Sequence, residues 1–166
     1  DGRGPDTALA RAIPEAFGQA DFAGVHRVVY DQTAGRPEIA SLAAVVGAAA
    51  ASGDAVAQAI LVEAGALLAE SALVAVRRLS LADPPIYYSG GVFEAGRWLL
   101  DSFSTAIHHA VPQATIKPAA FPQVVGALIL AQQPRAALTD AFYQTLEQSL
   151  PAQVLRKRRV QMGQED

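Results

Sequence analysis

Apolar residues recur at every third or fourth position along most of this chain, which is the spacing of one face of an α-helix. The longest segment with this spacing covers residues 55–79, where charged side chains occupy the other sides. We predict one long amphipathic helix here, with an apolar stripe on one side. The stripe consists of Val56, Ile60, Leu67 and Val74.

Residues that favour a first helical turn mark the starts of further helices. Thr7, Asp21 and Thr139 carry side-chain oxygens that cap helices. Pro37 suits the first turn of another helix. The further predicted helices cover residues 8–17, 22–30, 37–51, 92–110, 123–133 and 140–150.

Two short segments interrupt the helical spacing. Residues 85–89 and 114–118 are short, apolar and β-prone, and a predicted helix lies between them. This order predicts a parallel pair of strands with a right-handed crossover. The fold class is therefore a helix-rich α/β structure with two recognisable strands and about six helices. Because two strands do not form a stable sheet alone, we expect the remaining strands to lie outside this chain.

Composition places the 166 residues in one domain of ordinary size. Hydrophobic residues make up 51% and charged residues 17%, so the chain has enough apolar surface to bury a core. The net charge of −3 provides no basic field for nucleic acid or an anionic membrane. Polar residues interrupt the longest apolar stretches, residues 42–51 and 59–69, and the opening residues lack the basic-then-apolar pattern of a leader. We expect a cytoplasmic protein without a nucleic-acid or membrane partner.

Several classes of chemistry are excluded by the residues present. Cysteine is absent, which excludes disulfides, zinc–thiolate sites, thiol catalysis and iron–sulfur clusters held by this chain. The neighbours His108 and His109 point about 100° apart on a helix, so they do not share a metal ion easily. Ser89 lacks the Gly-x-Ser-x-Gly frame of a serine nucleophile. The basic run 156–159 is interpreted as part of a solvated tail. We therefore predict no catalytic residue and no metal ligand.

The segment that carries chemistry is the turn after the first predicted strand. Glycine lacks a Cβ and adopts positive φ, so a ligand can lie against its backbone. A helix that begins directly after the two glycines would offer free N–H groups to a phosphate or a ribose–phosphate group. The alternative is a plain strand-to-helix turn that needs glycine. The candidate binding residues are Ser89, Gly90, Gly91, Val92 and Phe93.

Three runs in order, residues 52–61, 89–93 and 122–128, resemble the C-terminal half of the BadF/BadG/BcrA/BcrD-type ATPase family. More narrowly, they are similar to its bacterial N-acetylglucosamine kinase branch, as is the opening run, residues 1–9. The resemblance covers residues 1–132. It implies membership of the actin/hexokinase/Hsp70 superfamily, whose members have two ribonuclease-H-like domains around a cleft.

The resemblance also implies a function for particular residues. Gly90 and Gly91 correspond to the adenosine motif, with Val92 and Phe93 beginning the helix beside the nucleotide. Gly126 corresponds, with Ala127, to a connecting motif that serves as the hinge between domains. The implied reaction transfers the γ-phosphoryl group of ATP to a hydroxyl of N-acetylglucosamine or a similar amino sugar, with Mg²⁺ and a catalytic Asp base.

The family's two phosphate motifs and its catalytic Asp are absent from this sequence. We therefore expect a fragment that lacks its N-terminal half, is inactive alone and forms a homo-oligomer through apolar surface. One alternative is a truncated or oligomeric remnant without catalysis. Another is a BadF-type activator without its iron–sulfur half, although the absence of cysteine favours the sugar-kinase branch.

The resemblance implies a division of the chain as well. Residues 1–150 correspond to the C-terminal ribonuclease-H-like half of the kinase. Within them, residues 1–51 form a helical insertion, 52–133 the nucleotide-side core and 139–150 a C-terminal helix. Residues 151–166 form the basic and then polar tail.

Overall fold

The computed structural model describes residues 4–31, 34–132 and 138–151. Within these ranges the chain is helix-rich, with a two-stranded parallel sheet and a short 3-10 turn, which confirms the predicted helix-rich α/β class. The basic tail, residues 152–166, lies outside the described residues. The elements are α1 (Leu9–Ala16), α2 (Phe22–Tyr30), α3 (Arg36–Ala51), α4 (Ala55–Arg78), β1 (Pro85–Tyr88), the 3-10 turn (Gly91–Ala95), α5 (Arg97–Ala110), β2 (Thr115–Pro118), α6 (Gln123–Gln132) and α7 (Asp140–Ser149).

The chain divides into two compact units. The first unit comprises Asp1–Ile86 and Gly90–Ile116, and the second comprises Tyr87–Ser89 and Lys117–Asp166. The helices α1 to α5 and the 3-10 turn therefore belong to the first unit, and α6 and α7 belong to the second.

The long helix α4 buries a different face from the one that its large apolar residues predict. Ile60, Leu67 and Val74 are exposed by 43%, 57% and 37%. The buried positions are mostly small residues, because small side chains let α3 and α5 approach the α4 backbone closely. The apolar stripe is therefore not the side of α4 that packs into the core. The buried residues of α4 are Ala57, Leu61, Gly65, Ala69 and Val76.

Helix α5 provides the large side chains of the core. Leu99, Phe103 and Ile107 are almost fully buried on one side of α5, as its apolar spacing predicts. Leu99 belongs to a cluster with residues of α1, α3 and α4, and Phe103 and Ile107 belong to a neighbouring cluster that Ile86 and Ile116 partly cover. By length and composition α4 could also cross a membrane, but here it packs along α3 and α5.

The second unit contains two short helices with little burial in the described residues. Val125 of α6 and Leu146 of α7 are buried, and the rings of Phe121 and Tyr143 stack with centroids 6.4 Å apart. Thr139 caps α7 as predicted, because its hydroxyl oxygen accepts the Phe142 N–H at 3.2 Å. Three large side chains on α6 are exposed: Val124, Leu128 and Leu130.

Candidate functional site

The backbone after β1 turns at Gly90. Its φ of 114° and ψ of 155° lie in a region that residues with a Cβ rarely adopt, so the chain requires glycine here. The Phe93 N–H then donates to the Gly90 carbonyl at 3.2 Å and closes the first turn of the 3-10 segment. The backbone conformation alone therefore explains why glycine occupies position 90.

Gly91 is different, because nothing in the described structure requires glycine at this position. Its φ is outside the left-handed region, and an ideal Cβ built on it meets no atom within 4 Å. The residue is exposed. A side chain would therefore fit the fold but would cover the bare main chain, which is the surface that a ligand needs for close approach.

The helix predicted over residues 92–110 is not continuous. The 3-10 turn ends at Ala95, and Gly96 has a φ of 126°, which interrupts the helix before α5 begins at Arg97. The free N–H groups and positive end of the α5 dipole therefore lie at Gly96 and not at the two glycines. The expectation of a helix N-terminus directly after Gly91 is wrong. What remains at the turn is exposed main chain.

Side chains alternate between the solvent and the core along the turn. Phe93 is half-buried and meets Phe103 edge to face, with ring centroids 5.5 Å apart. Ala95 is 4% exposed, whereas Val92 and Glu94 face solvent. The two inward residues thus fix the turn on the core, and Val92 is left as an accessible apolar side chain beside Gly91.

The remaining predicted site residues belong to the second unit. Ser89 follows β1, while Gly126 and Ala127 lie on α6. Ala127 is exposed, and an ideal Cβ on Gly126 meets no atom within 4 Å. Among the described residues Gly126 therefore has no close neighbour that accounts for its small size, and its role as a hinge stays a prediction.

A cluster of hydrogen bonds around Asp54 was not predicted from the sequence. The Asp54 carboxylate accepts the Ala57 N–H at 2.9 Å, the Thr7 hydroxyl at 2.8 Å and the Ala8 N–H at 2.6 Å. These donors, the Ala57 N–H above all, hold the pKa of Asp54 below its ordinary value, although partial burial opposes them. The sequence predicts Thr7 as the N-cap of α1, but Ala8 occupies that position.

The same hydrogen bonds join two of the runs that carry the family resemblance. Residues 4–8 and 53–55 line an open groove of about 730 Å³. The capping signal at Asp54 was visible in the sequence, but its partners 47 positions earlier were not. Because Asp54 already accepts three protein donors, the cluster has a structural role.

The described residues contain no group of three or more His, Cys, Asp or Glu side chains that could hold a metal ion. His108 is engaged with the backbone, since its Nε2 lies 3.0 Å from the Ala114 carbonyl oxygen. No polar or charged side chain is buried within the same ranges. The exposed glycine turn is therefore the candidate site in the described part of the chain.

No protein-family model matches the chain, and comparisons with curated proteins and with solved structures also give no match. The similarity to sugar kinases therefore depends on the quoted motifs alone.

Proposed function

We propose that this chain supplies the adenosine side of the ATP site of a cytoplasmic sugar kinase that acts on N-acetylglucosamine or a similar amino sugar. The observation that supports the proposal is the exposed, uncovered main chain at Gly91. The fold does not need a glycine there, but a ribose or adenine that lies against the main chain does. The position coincides with the adenosine motif of the family that the sequence resembles.

The local geometry suits the approach of a flat ligand. Gly90 provides the turn, and Gly91 leaves the main chain uncovered. Val92, 37% exposed, offers an apolar contact for a base or sugar ring. Phe93 and Ala95 keep the turn in place by packing inward. Ser89, the residue before Gly90 in sequence, belongs to the proposed motif, and Gly126 and Ala127 of α6 are proposed to form a hinge.

The proposed role does not extend to the chemical step. The sequence lacks the phosphate motifs and the catalytic Asp, and the described residues contain no group of three or more potential metal ligands. The phosphates, Mg²⁺ and the amino sugar would therefore be held mainly by an N-terminal half. This chain alone is expected to bind adenosine and ADP weakly and to transfer no phosphoryl group.

The test is a titration of the ¹⁵N-labelled chain with adenosine, and separately with ADP, followed by amide chemical shifts. We expect the largest shifts at Gly90, Gly91 and Phe93. Replacement of Gly91→Val should abolish them while the rest of the spectrum stays folded, because the new side chain has space. Gly4→Val is the matched control, since Gly4 is also exposed with an open Cβ position.

Two results would contradict the proposal. One is the absence of ligand-dependent shifts at the turn at any soluble concentration of adenosine or ADP. The other is the same affinity in Gly91→Val as in the unaltered chain. A loss of binding in Gly4→Val as well as in Gly91→Val would indicate a nonspecific effect of the added side chain.

The exposed apolar side chains favour a second proposal, that the chain self-associates or binds a missing half. Ile60 and Leu67 on α4, with Val124 and Leu128 on α6, are exposed by 43% to 71%. Large apolar side chains exposed together on one helix are typical of an interaction surface, and each of the two helices has such a pair. Sedimentation velocity should show a dimer or larger species, and a monomer at all concentrations would contradict self-association. A non-catalytic oligomer would show this species without adenosine binding.

A further inference from the structure

The far end of the glycine turn lies directly against the main chain of α3. An ideal Cβ placed on Gly47 would collide with the carbonyl oxygen of Ala95 and would lie 2.9 Å from its carbonyl carbon and 3.0 Å from its Cα. These atoms are backbone, which cannot move aside as the end of a flexible side chain can. Gly47 therefore permits a backbone-to-backbone contact between α3 and the last residue of the 3-10 turn.

This contact lies in the interface between the turn and α3. The 3-10 turn has α3 as its principal neighbour, whereas it has few contacts with α5, from which Gly96 separates it. Ala95 is 4% exposed and belongs to the same core cluster as Ala49 and Ala50 of α3. A displacement of α3 is therefore expected to move the turn with it.

We propose that Gly47 is a positioning residue for the adenosine-binding turn, so that the size of residue 47 sets the geometry of the main chain from Gly91 to Phe93. The expected effect of residue 47 on adenosine affinity rests on the proposed function. A methyl group at residue 47 must push α3 and Ala95 apart, and a closely packed interior transmits such a displacement. The turn begins only four residues before Ala95 and is short enough to move with it.

The test compares Gly47→Ala with the unaltered chain by two readouts. The first is the amide chemical shifts of Gly91, Val92 and Phe93 without ligand, and the second is adenosine affinity from the titration described above. We expect Gly47→Ala to move all three free-state amides and to weaken adenosine binding by about threefold or more, because the turn is displaced rather than removed.

Gly65→Ala is the matched control for lost stability. An ideal Cβ on Gly65 would collide with the Leu99 carbonyl oxygen and lie 3.0 Å from the Phe103 nitrogen, so this variant also forces two helices apart. Its contacts are on α5, beyond Gly96. We expect its shift changes to centre on α4 and α5 and to reach Phe93 through the contact with Phe103, whereas the Gly91 and Val92 amides stay unmoved and adenosine affinity stays within about twofold of the unaltered chain.

The outcomes separate this inference from the proposed function. If the unaltered chain binds no adenosine, the proposed function fails, and the free-state shifts still decide whether Gly47 positions the turn. If the turn amides of Gly47→Ala coincide with those of the unaltered chain, or if Gly65→Ala moves them equally, the inference is overturned.

A second variant covers the case in which Gly47→Ala does not fold. Ala95→Gly keeps the backbone contact but removes the buried methyl group of the same residue, and so loosens the packing of the turn in the core cluster that includes Ala49 and Ala50 of α3. We expect faster amide hydrogen exchange at Gly91 and Phe93 and weaker adenosine binding in this variant. Unchanged exchange at these amides would overturn the inference.

Discussion

The Thr7 hydroxyl donates a hydrogen bond to the carboxylate of Asp54 at 2.8 Å, across 47 positions of sequence. The same carboxylate caps α4 through the Ala57 N–H and accepts the Ala8 N–H at the start of α1. Thr7 itself accepts the Leu9 N–H at 3.2 Å. One carboxylate therefore satisfies N–H groups at the beginnings of two helices that are distant in sequence.

We predict that Asp54→Ala lowers Tm more than Asp21→Ala does. Both substitutions remove an N-cap, since Asp21 accepts the Gly24 N–H at 2.8 Å at the start of α2. Only Asp54 also holds a second segment of the chain. Thermal unfolding of the two variants measures the difference, and equal losses of Tm would show that the Thr7 and Ala8 hydrogen bonds add nothing.

The same carboxylate makes stability depend on pH. The folded-state pKa of Asp54 lies below its ordinary value of 3.8, so the folded chain binds this proton less readily than the unfolded chain. The resulting contribution is fully present above pH 3.8 and is lost as the pH falls through the lower folded-state value. Urea unfolding of Asp54→Asn should show a shallower loss of stability over this acidic range than the unaltered chain. Parallel curves for the two proteins would contradict the prediction.

Local signals in the sequence were sufficient to predict most helices and both strands. Asp21 and Thr139 cap the helices that follow them, and Pro37 lies in the first turn of α3, because these preferences depend on the neighbouring backbone alone. The orientation of α4 could not be predicted in this way. Burial there is decided by how closely α5 approaches Gly65, which periodicity does not report.

The turn that carries the candidate site was predictable in position but not in shape, and its binding of a ligand stays a prediction. The glycine pair at 90–91 marked the turn correctly, since a φ of 114° at Gly90 requires glycine. The interruption at Gly96 was missed because a single glycine within an apolar stripe is compatible with a continuous helix. Gly47 was missed as well, because its contact with Ala95 joins segments that are distant in sequence.

Two leucines differ in burial, since Leu99 of α5 lies in the core and Leu67 of α4 is exposed, and we predict that they differ in their contribution to stability. Leu99→Ala should destabilise the fold by about 2–5 kcal/mol, because the side chain is fully buried and its removal leaves a cavity. Leu67→Ala, on the exposed stripe, should cost less than about 1 kcal/mol. Urea unfolding at low protein concentration measures both. A cost for Leu67→Ala that approaches that of Leu99→Ala would mean that the stripe is covered in solution.

The C-terminus of α4 contains a residue in an unfavourable conformation. The Leu81 N–H donates to the Val76 carbonyl at 3.1 Å and the Ser80 N–H donates to the Arg77 carbonyl at 3.2 Å, the pattern of a Schellman motif. Ser80 occupies the left-handed position with a φ of 50°, where glycine is usual.

Ser80→Gly is therefore expected to stabilise the fold by about 0.5 kcal/mol, because relief of the left-handed conformation exceeds the extra backbone entropy of glycine in the unfolded chain. Ser71→Gly is the matched control on the exposed side of α4, where the backbone is helical and the same change should destabilise by about 0.5 kcal/mol. Urea unfolding measures both values. The two substitutions are chemically identical. If the free energy of unfolding rises in Ser80→Gly and falls in Ser71→Gly, the gain comes from the backbone conformation of Ser80. A change in the same direction in both variants would rule out that explanation.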